Sequence, residues 1–181
     1  KELSKIALAV EPSSTMAIDT LFKQMKAEGQ DVIGFGAGEP DFNTPEPIKE
    51  AAKKAIDENY SRYSPVAGYP ALRNAIVAKL KNENGLEYTA NQISCANGAK
   101  QSVCNTIMVL VNPGDEVIIP APFWVSYPEM VKLAEGTPVI VAAGIEQDFK
   151  ITPAQLEAAI TPKTKALILC SPSNPTGSVY S

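Results

Sequence analysis

The residues best placed to do chemistry stand where strands stop. Ser171-Pro172-Ser173-Asn174-Pro175-Thr176-Gly177 follows the apolar run Ala166-Leu167-Ile168-Leu169-Cys170, which reads as a buried strand. Two prolines and a glycine break that run and hold one amide side chain, Asn174, between them. Ligands of open α/β sheets bind beyond the carboxyl ends of strands. Asn174 there either hydrogen-bonds a ligand oxygen or secures its own turn. The chain closes shortly after Gly177, so the site it begins is expected to be completed by other residues.

Three more segments have the same character. In Ala96-Asn97-Gly98-Ala99-Lys100-Gln101 a strand gives way to a helix through a glycine. The unpaired N–H groups and dipole of a helix start attract an anion, and small residues let a phosphate approach the backbone. The alternative is a plain tight turn, because no P-loop signature is present. Pro120-Ala121-Pro122-Phe123-Trp124 sets the chain's single tryptophan after another strand, either to stack on a flat ligand or to pack in the core. The loop from Gly36 to Asp41 brings backbone amides beside two glycines, suited to a carboxylate or simply to a turn. Tyr63 either donates a phenolic hydrogen bond or packs.

Composition removes several classes of function. The chain has 181 residues, 45% hydrophobic and 20% charged, with net charge −4, as for one ordinary globular domain. Its cations are scattered, which argues against a nucleic-acid surface. No apolar run approaches the ~20 residues of a membrane span, and no signal-peptide pattern opens the chain. Lys1 in place of an initiator methionine is expected of a trimmed or excised chain. Histidine is absent, which rules out Ser-His and Cys-His catalysis within these residues. Cys95, Cys104 and Cys170 have no metal or redox spacing and are expected as reduced core thiols, two in strands and one in a helix, in a cytoplasmic protein.

These turns need elements to hold them. Ile18, Leu21, Phe22 and Met25 recur at helical spacing, with Gly29 as the stop. Residues 31–35 read as a strand. Thr44 is expected to cap a helix with Pro45 at its first position and a buried stripe of Ile48, Ala51, Ala52, Ala55 and Ile56. Residues 61–69 form a turn-rich loop, and a helix over 70–84 ends at Gly85. Strands and helices then alternate: strand 92–96, helix 98–111, strand 116–119, helix 125–135, strand 138–142, a helix opened by the Thr152–Gln155 capping box and running to Ile160, and strand 165–170. That order predicts an α/β fold with a mainly parallel sheet covered by helices. A dinucleotide-binding domain is disfavoured because no Gly-x-Gly-x-x-Gly follows a strand.

Each motif is weak alone, but their order is specific. Gly38-Glu39-Pro40-Asp41-Phe42-Asn43-Thr44-Pro45, Tyr63-Ser64-Pro65-Val66-Ala67-Gly68, Asn97-Gly98-Ala99-Lys100-Gln101, Asn112-Pro113-Gly114-Asp115-Glu116-Val117, Phe123-Trp124-Val125-Ser126-Tyr127-Pro128 and Ser173-Asn174-Pro175-Thr176-Gly177 together resemble the class I/II pyridoxal-phosphate aminotransferases, most of all the bacterial aspartate aminotransferases. The resemblance covers essentially this whole chain but only about the N-terminal half of such an enzyme. It implies a three-layer α/β/α sandwich of the aspartate aminotransferase-like PLP-transferase fold, incomplete here. Residues 1–40 would be an N-terminal arm and part of the small domain, and residues 41–181 the N-terminal portion of the large PLP-binding domain.

The resemblance also implies roles. Gly98, Ala99 and Lys100 would hold the phosphate of pyridoxal 5'-phosphate, Trp124 would stack on its ring, and Asn174 would hydrogen-bond its phenolic oxygen. Tyr63 would reach the cofactor phosphate of a partner subunit in a homodimer. Gly38, Trp124 and Asn174 would also meet the substrate. The parent enzyme would move an amino group between an amino acid, aspartate or glutamate, and a 2-oxo acid. Alternatives on this scaffold are an aromatic aminotransferase or a C–S lyase, and the alternative outside enzymes is a non-catalytic fragment that at most binds PLP or phosphate. The Schiff-base lysine is absent: none of the fourteen lysines has that motif's context, and the chain itself is expected to be inactive. Arg62 and Arg73, the only arginines, match no carboxylate-binding role. In the family's topology, strand 92–96 would find no sheet partner within this chain.

Overall fold

The protein is described by a computed structural model covering residues 2–36 and 38–181; Ala37, in the expected glycine loop, lies outside the described residues. Residues 1–37 with 103–181 form one compact unit, and residues 38–102 form another.

The first unit is built on three parallel strands. β1 (Glu116–Ala121) lies between β2 (Thr137–Ala142) and β3 (Thr164–Leu167). Its register with β2 is unbroken from Glu116 opposite Thr137 to Ala121 opposite Ala142. On the β3 side the register slips once, with Glu116 opposite Thr164 and Val117 opposite Ala166, leaving Lys165 as the extra residue. A central parallel strand is buried on both faces and therefore reads as continuous apolar sequence. Val117, Ile118 and Ile119 accordingly have at most 1% of their surface exposed. Val117 and Ile119 pack with Ile107 and Val111 from the end of α5 (Gly98–Leu110) and with Val131 and Ala134 at the end of α6 (Ser126–Leu133). Ile118, by strand alternation, faces the other way.

Local chemistry sets the boundaries. α7 (Pro153–Ala159) opens on the expected capping box, with Thr152 Oγ1 accepting from the Gln155 N–H while the Gln155 side chain accepts from the Thr152 N–H. The Asp115 carboxylate accepts from the Asn112 N–H at 2.8 Å in the turn before β1. That bond holds its carboxyl below the usual range. At the N-terminus, Ser4 caps a short α1 (Lys5–Ala9) that periodicity did not predict, and Ser13 caps α2 (Ser14–Ala27). The Glu129 carboxylate on α6 accepts from the Glu11 N–H, fixing the connection between those two helices.

In the second unit, α4 (Pro70–Asn84) ends at Gly85 in the left-handed region, as the sequence predicts. The start of α3 (Glu46–Asp57) differs from expectation. Pro45, not Thr44, is the N-cap: its carbonyl accepts from Ile48 and Lys49, and its extended ψ keeps it outside the helix. The predicted buried stripe of α3 is uncovered, with Ile48 and Ile56 well exposed, because nothing within this unit packs over it.

Two predicted strands do not form among the described residues. Residues 31–35 are extended without a ladder, and Phe35 is 93% exposed. Residues 90–92 are a 3₁₀ turn and 93–96 follow without a sheet partner. Pairing, not propensity, makes a strand, and neither segment joins a ladder among the described residues. β3 also stops at Leu167 rather than Cys170, although the Ile168 N–H still donates to the Ile118 carbonyl. The three cysteines are unpaired but only half-buried, so they are not core thiols, and Cys95 and Cys170 stand outside the assigned strands.

Phe35, Phe42, Val66 and Val109 present large apolar surfaces, and the outer edge of β3 is unpaired among the described residues. The 181-residue chain purified alone is therefore expected to elute from a sizing column as oligomer or aggregate. A monodisperse monomer with one cooperative melt would refute this.

Candidate functional site

Beyond the carboxyl end of β3 the chain turns through residues 171–177, and this turn is fixed from several sides. The Gly177 N–H donates to the Ser173 carbonyl at 2.7 Å and the Ser173 N–H to the Ser178 carbonyl at 2.9 Å. Asn174 and Pro175 form the exposed apex. The returning strand of chain is pinned to residues 148–151: the Ser178 hydroxyl donates to Asp148, Lys150 Nζ to the Val179 carbonyl, and the Ile151 N–H to the Tyr180 hydroxyl. Lys150 beside it holds the Asp148 carboxyl below its ordinary range. Asn174 is thus displayed at the sheet's carboxyl end on a turn held by the backbone of its neighbours.

Beyond the carboxyl end of β1, Trp124 sits at the turn into α6. Its carbonyl accepts from the Tyr127 N–H at 3.0 Å, and its ring meets that of Tyr127 edge to face, with centroids 5.4 Å apart and planes at 89°. Burial first, then a hydrogen bond with Cys170, pushes the Tyr127 hydroxyl up to about 12. Trp124 and Asn174 therefore belong to one unit and to the same end of one sheet, as expected from sequence.

Gly38, Tyr63, Gly98, Ala99 and Lys100 belong to the second unit. Gly98 opens α5 at φ 82°, a left-handed conformation that glycine alone adopts cheaply, and a Cβ there would meet nothing within 4 Å. The Gln101 side chain accepts from the Asn97 N–H and closes the turn ahead of the helix. Ala99 and Lys100 supply the next backbone N–H groups of the helix's first turn. Gly38 is in open space, and Tyr63 is fully exposed on its loop.

Two residues that hold this unit's loops were not predicted. Gly68, at φ 97°, lies so close to Cys95 that a Cβ would stand 2.7 Å from its sulfur, and the Cys95 N–H donates to the Ala67 carbonyl at 3.0 Å. The Tyr63 loop is thereby fastened to the segment leading into Gly98. Arg73 Nε donates to the Ala90 carbonyl at 2.8 Å, so this arginine ties α4 to the 3₁₀ turn and is not a ligand-binding cation. The only sequence signal for either was a glycine beside an aromatic loop and an arginine inside a helix.

Residues 30–181 match the family model for aminotransferase class I and II. The chain is 57% identical over 178 residues to an aspartate/prephenate aminotransferase of Cereibacter sphaeroides, covering 98% of this chain and 44% of the relative. It is 56% identical over 169 residues to an aspartate aminotransferase of a Bacillus species, covering 93% of this chain and 43% of the relative. Aspartate aminotransferase from Thermus thermophilus with maleate superposes over the whole chain with a TM-score of 0.96 at 44% identity, while the chain covers 47% of that structure. The architecture is that of the aspartate aminotransferase-like α/β/α sandwich with its sheet incomplete. The chain belongs to the class I and II aminotransferase family, and it spans about 44% of the length of the first curated relative it matches.

The two structural glycines differ in a measurable way. Gly98→Ala meets only the backbone penalty and is expected to cost about 1–2 kcal/mol. Gly68→Ala adds a steric clash and is expected to cost more, about 2 kcal/mol or above. Urea unfolding of the full-length protein checks the order. The raised Tyr127 hydroxyl contributes stability fully present below its usual value of 10 and lost as pH climbs toward about 12. The stability difference between the parent and Tyr127→Phe is expected to stay constant up to about pH 10 and to shrink between there and about 12.

Proposed function

We propose that these residues form the cofactor-gripping part of a pyridoxal 5'-phosphate-dependent aminotransferase that exchanges an amino group between an acidic amino acid, aspartate or glutamate, and a 2-oxo acid. One observation carries the reading: in a chain of this family, the open left-handed Gly98 stands at the N-terminus of a 13-residue helix. Such a helix start attracts a phosphate and lets it reach the backbone.

The residues fit the group. Gly98, Ala99 and Lys100 would receive the phosphate on backbone N–H groups, with the open space over Gly98 leaving room for it. Trp124 would lie against the pyridine ring, its plane set by Tyr127. Asn174 would donate its amide to the ring's phenolic oxygen from a turn already fixed by its neighbours. Gly38 would meet the substrate through its backbone, together with Trp124 and Asn174. Pyridoxal phosphate supplies the electron sink for amino-group transfer when bound. The chain's own part is to bind, orient and exclude water. We assign no catalytic role to any of its fourteen lysines.

Tyr63 would reach the cofactor phosphate of the other subunit in a homodimer, and its complete exposure supports that reading. Residues 1–40 would serve as arm and part of the small domain, and 41–181 as part of the large domain. We place the whole protein in the cytoplasm, where unpaired cysteines are stable. Among the described residues no helix is long and apolar enough to cross a membrane.

Titration of the 181-residue chain with pyridoxal phosphate, followed by borohydride reduction and peptide mapping, tests this. Saturable absorbance change, lost in Trp124→Ala and weakened in Gly98→Val, with no stoichiometric lysine adduct, is the expected result. A single stoichiometric adduct would show that a lysine here is catalytic. Absence of binding by the full-length protein as well would overturn the cofactor assignment.

A further inference from the structure

The loop bearing Tyr63 is closed at its base and fastened along its returning limb. At the base, Tyr60 after α3 and Tyr69 before α4 meet edge to face, with ring centroids 5.5 Å apart and planes at 65°. On the returning limb, the Gly68 N–H donates to the Pro65 carbonyl at 2.8 Å and folds residues 65–68 into a turn. Gly68 has φ 97°, a conformation that glycine alone adopts cheaply. The space a side chain would need is already filled: a Cβ there would stand 2.7 Å from Cys95 Sγ and 2.9 Å from Cys95 Cβ. The Cys95 N–H donates to the Ala67 carbonyl at 3.0 Å. Two adjacent loop residues thus meet Cys95, one through a backbone bond and one through a bare Cα against its side chain. Cys95 is three residues before Gly98, whose N–H donates back to the Ala96 carbonyl at 2.9 Å. Tyr63, five residues before Gly68, is fully exposed, so its ring has no packing of its own to fix where it points.

We propose that the Gly68–Cys95 contact sets the position of the Tyr63 hydroxyl, making Gly68 and Cys95 positioning residues for recognition of the cofactor phosphate. The inference rests on the cofactor reading given above. A side chain at position 68 is not accommodated by rotating Cys95, because its Cβ as well as its sulfur is in the way. Either the loop lifts off the 93–96 segment or that segment moves. Both displacements shift Tyr63 relative to the Gly98 turn of its own chain. A shift of about 1 Å suffices to forfeit a bond from a phenol to a phosphate oxygen, since O–H···O bonds span only roughly 2.5–3.0 Å.

The full-length protein carries the test, with three readouts: the dissociation constant for pyridoxal phosphate, that for pyridoxal, which lacks the phosphate, and the melting midpoint without either. Gly68→Ala and Cys95→Val crowd the contact from opposite sides. Each is expected to weaken pyridoxal phosphate binding roughly tenfold, as for loss of one hydrogen bond to a charged group. Pyridoxal is expected to bind every variant with unchanged affinity. In a Tyr63→Phe background neither substitution is expected to weaken binding further, since the donor they misplace is already gone. Adding Cys95→Gly to Gly68→Ala frees the space. It is expected to restore the affinity for pyridoxal phosphate while the melting midpoint stays low, because the left-handed backbone strain at position 68 remains. Cys95→Val carries no such strain and keeps the test decisive if Gly68→Ala does not fold. Losses additive with Tyr63→Phe, equal losses for pyridoxal, or lower melting midpoints with unchanged affinity would overturn the inference and leave a contact of structural value only. If Tyr63→Phe and Gly98→Val weaken pyridoxal phosphate binding while Gly68→Ala and Cys95→Val do not, the positioning role fails and the cofactor reading stands. If the unsubstituted protein does not bind pyridoxal phosphate, both fail.

Discussion

Everything in the first unit depends on β1 being held between two parallel partners. Its three central residues are sealed from solvent, Val117 and Ile119 by α5 and α6 on one face and Ile118 on the other. The strand cannot shift without breaking both ladders, because a one-residue slip would turn Val117 and Ile119 away from α5 and α6. The carboxyl ends of β1 and β3 are consequently fixed, and so are the starting points of the segments carrying Trp124 and Asn174. Parallel strands place all such exits on the same edge, which is why two residues fifty positions apart in the chain stand at one end of the sheet.

The second unit reaches similar rigidity without a sheet. A missing side chain at Gly68, a backbone bond from Cys95 and the guanidinium of Arg73 on the Ala90 carbonyl hold its loops to its longest helix. The two units thus hold their candidate site residues by different physics. One uses strand register; the other uses close backbone approach and a single long cation. Displayed residues in both, Asn174 and Tyr63, are exposed, and the bonds described for their loops are made by their neighbours.

Much of this was legible in the residues. The α4 boundaries, the α7 capping box and the core strand of β1 follow from periodicity and end chemistry, which are local properties. The segments 31–35 and 92–96 have strand-like composition, but a strand also needs a neighbour, and no local property reveals whether one exists. The α3 stripe failed for the same reason: amphipathicity marks a face to be covered and says nothing of what covers it. At the site, the candidate residues were visible because turns after strands carry a composition signal. Gly68 and Arg73, which hold the second unit's loops, were not, since a glycine in a loop or an arginine in a helix resembles any other until distances are known.

The connection between β1 and β2 adds a temporal dimension. Residues 116–142 contain both strands and the helix that packs on them, so the deepest ladder closes a short loop. Closing a short loop costs the least chain entropy, and local contacts form fastest. The short separation of β1 and β2 therefore favours early closure of the sheet's centre, whereas the segments at 31–35 and 93–96 have no ladder to join among the described residues. The carboxyl edge of the sheet inherits that difference in contact range: the turn bearing Trp124 lies within the local β1–β2 unit, and the turn bearing Asn174 follows the more distant β3.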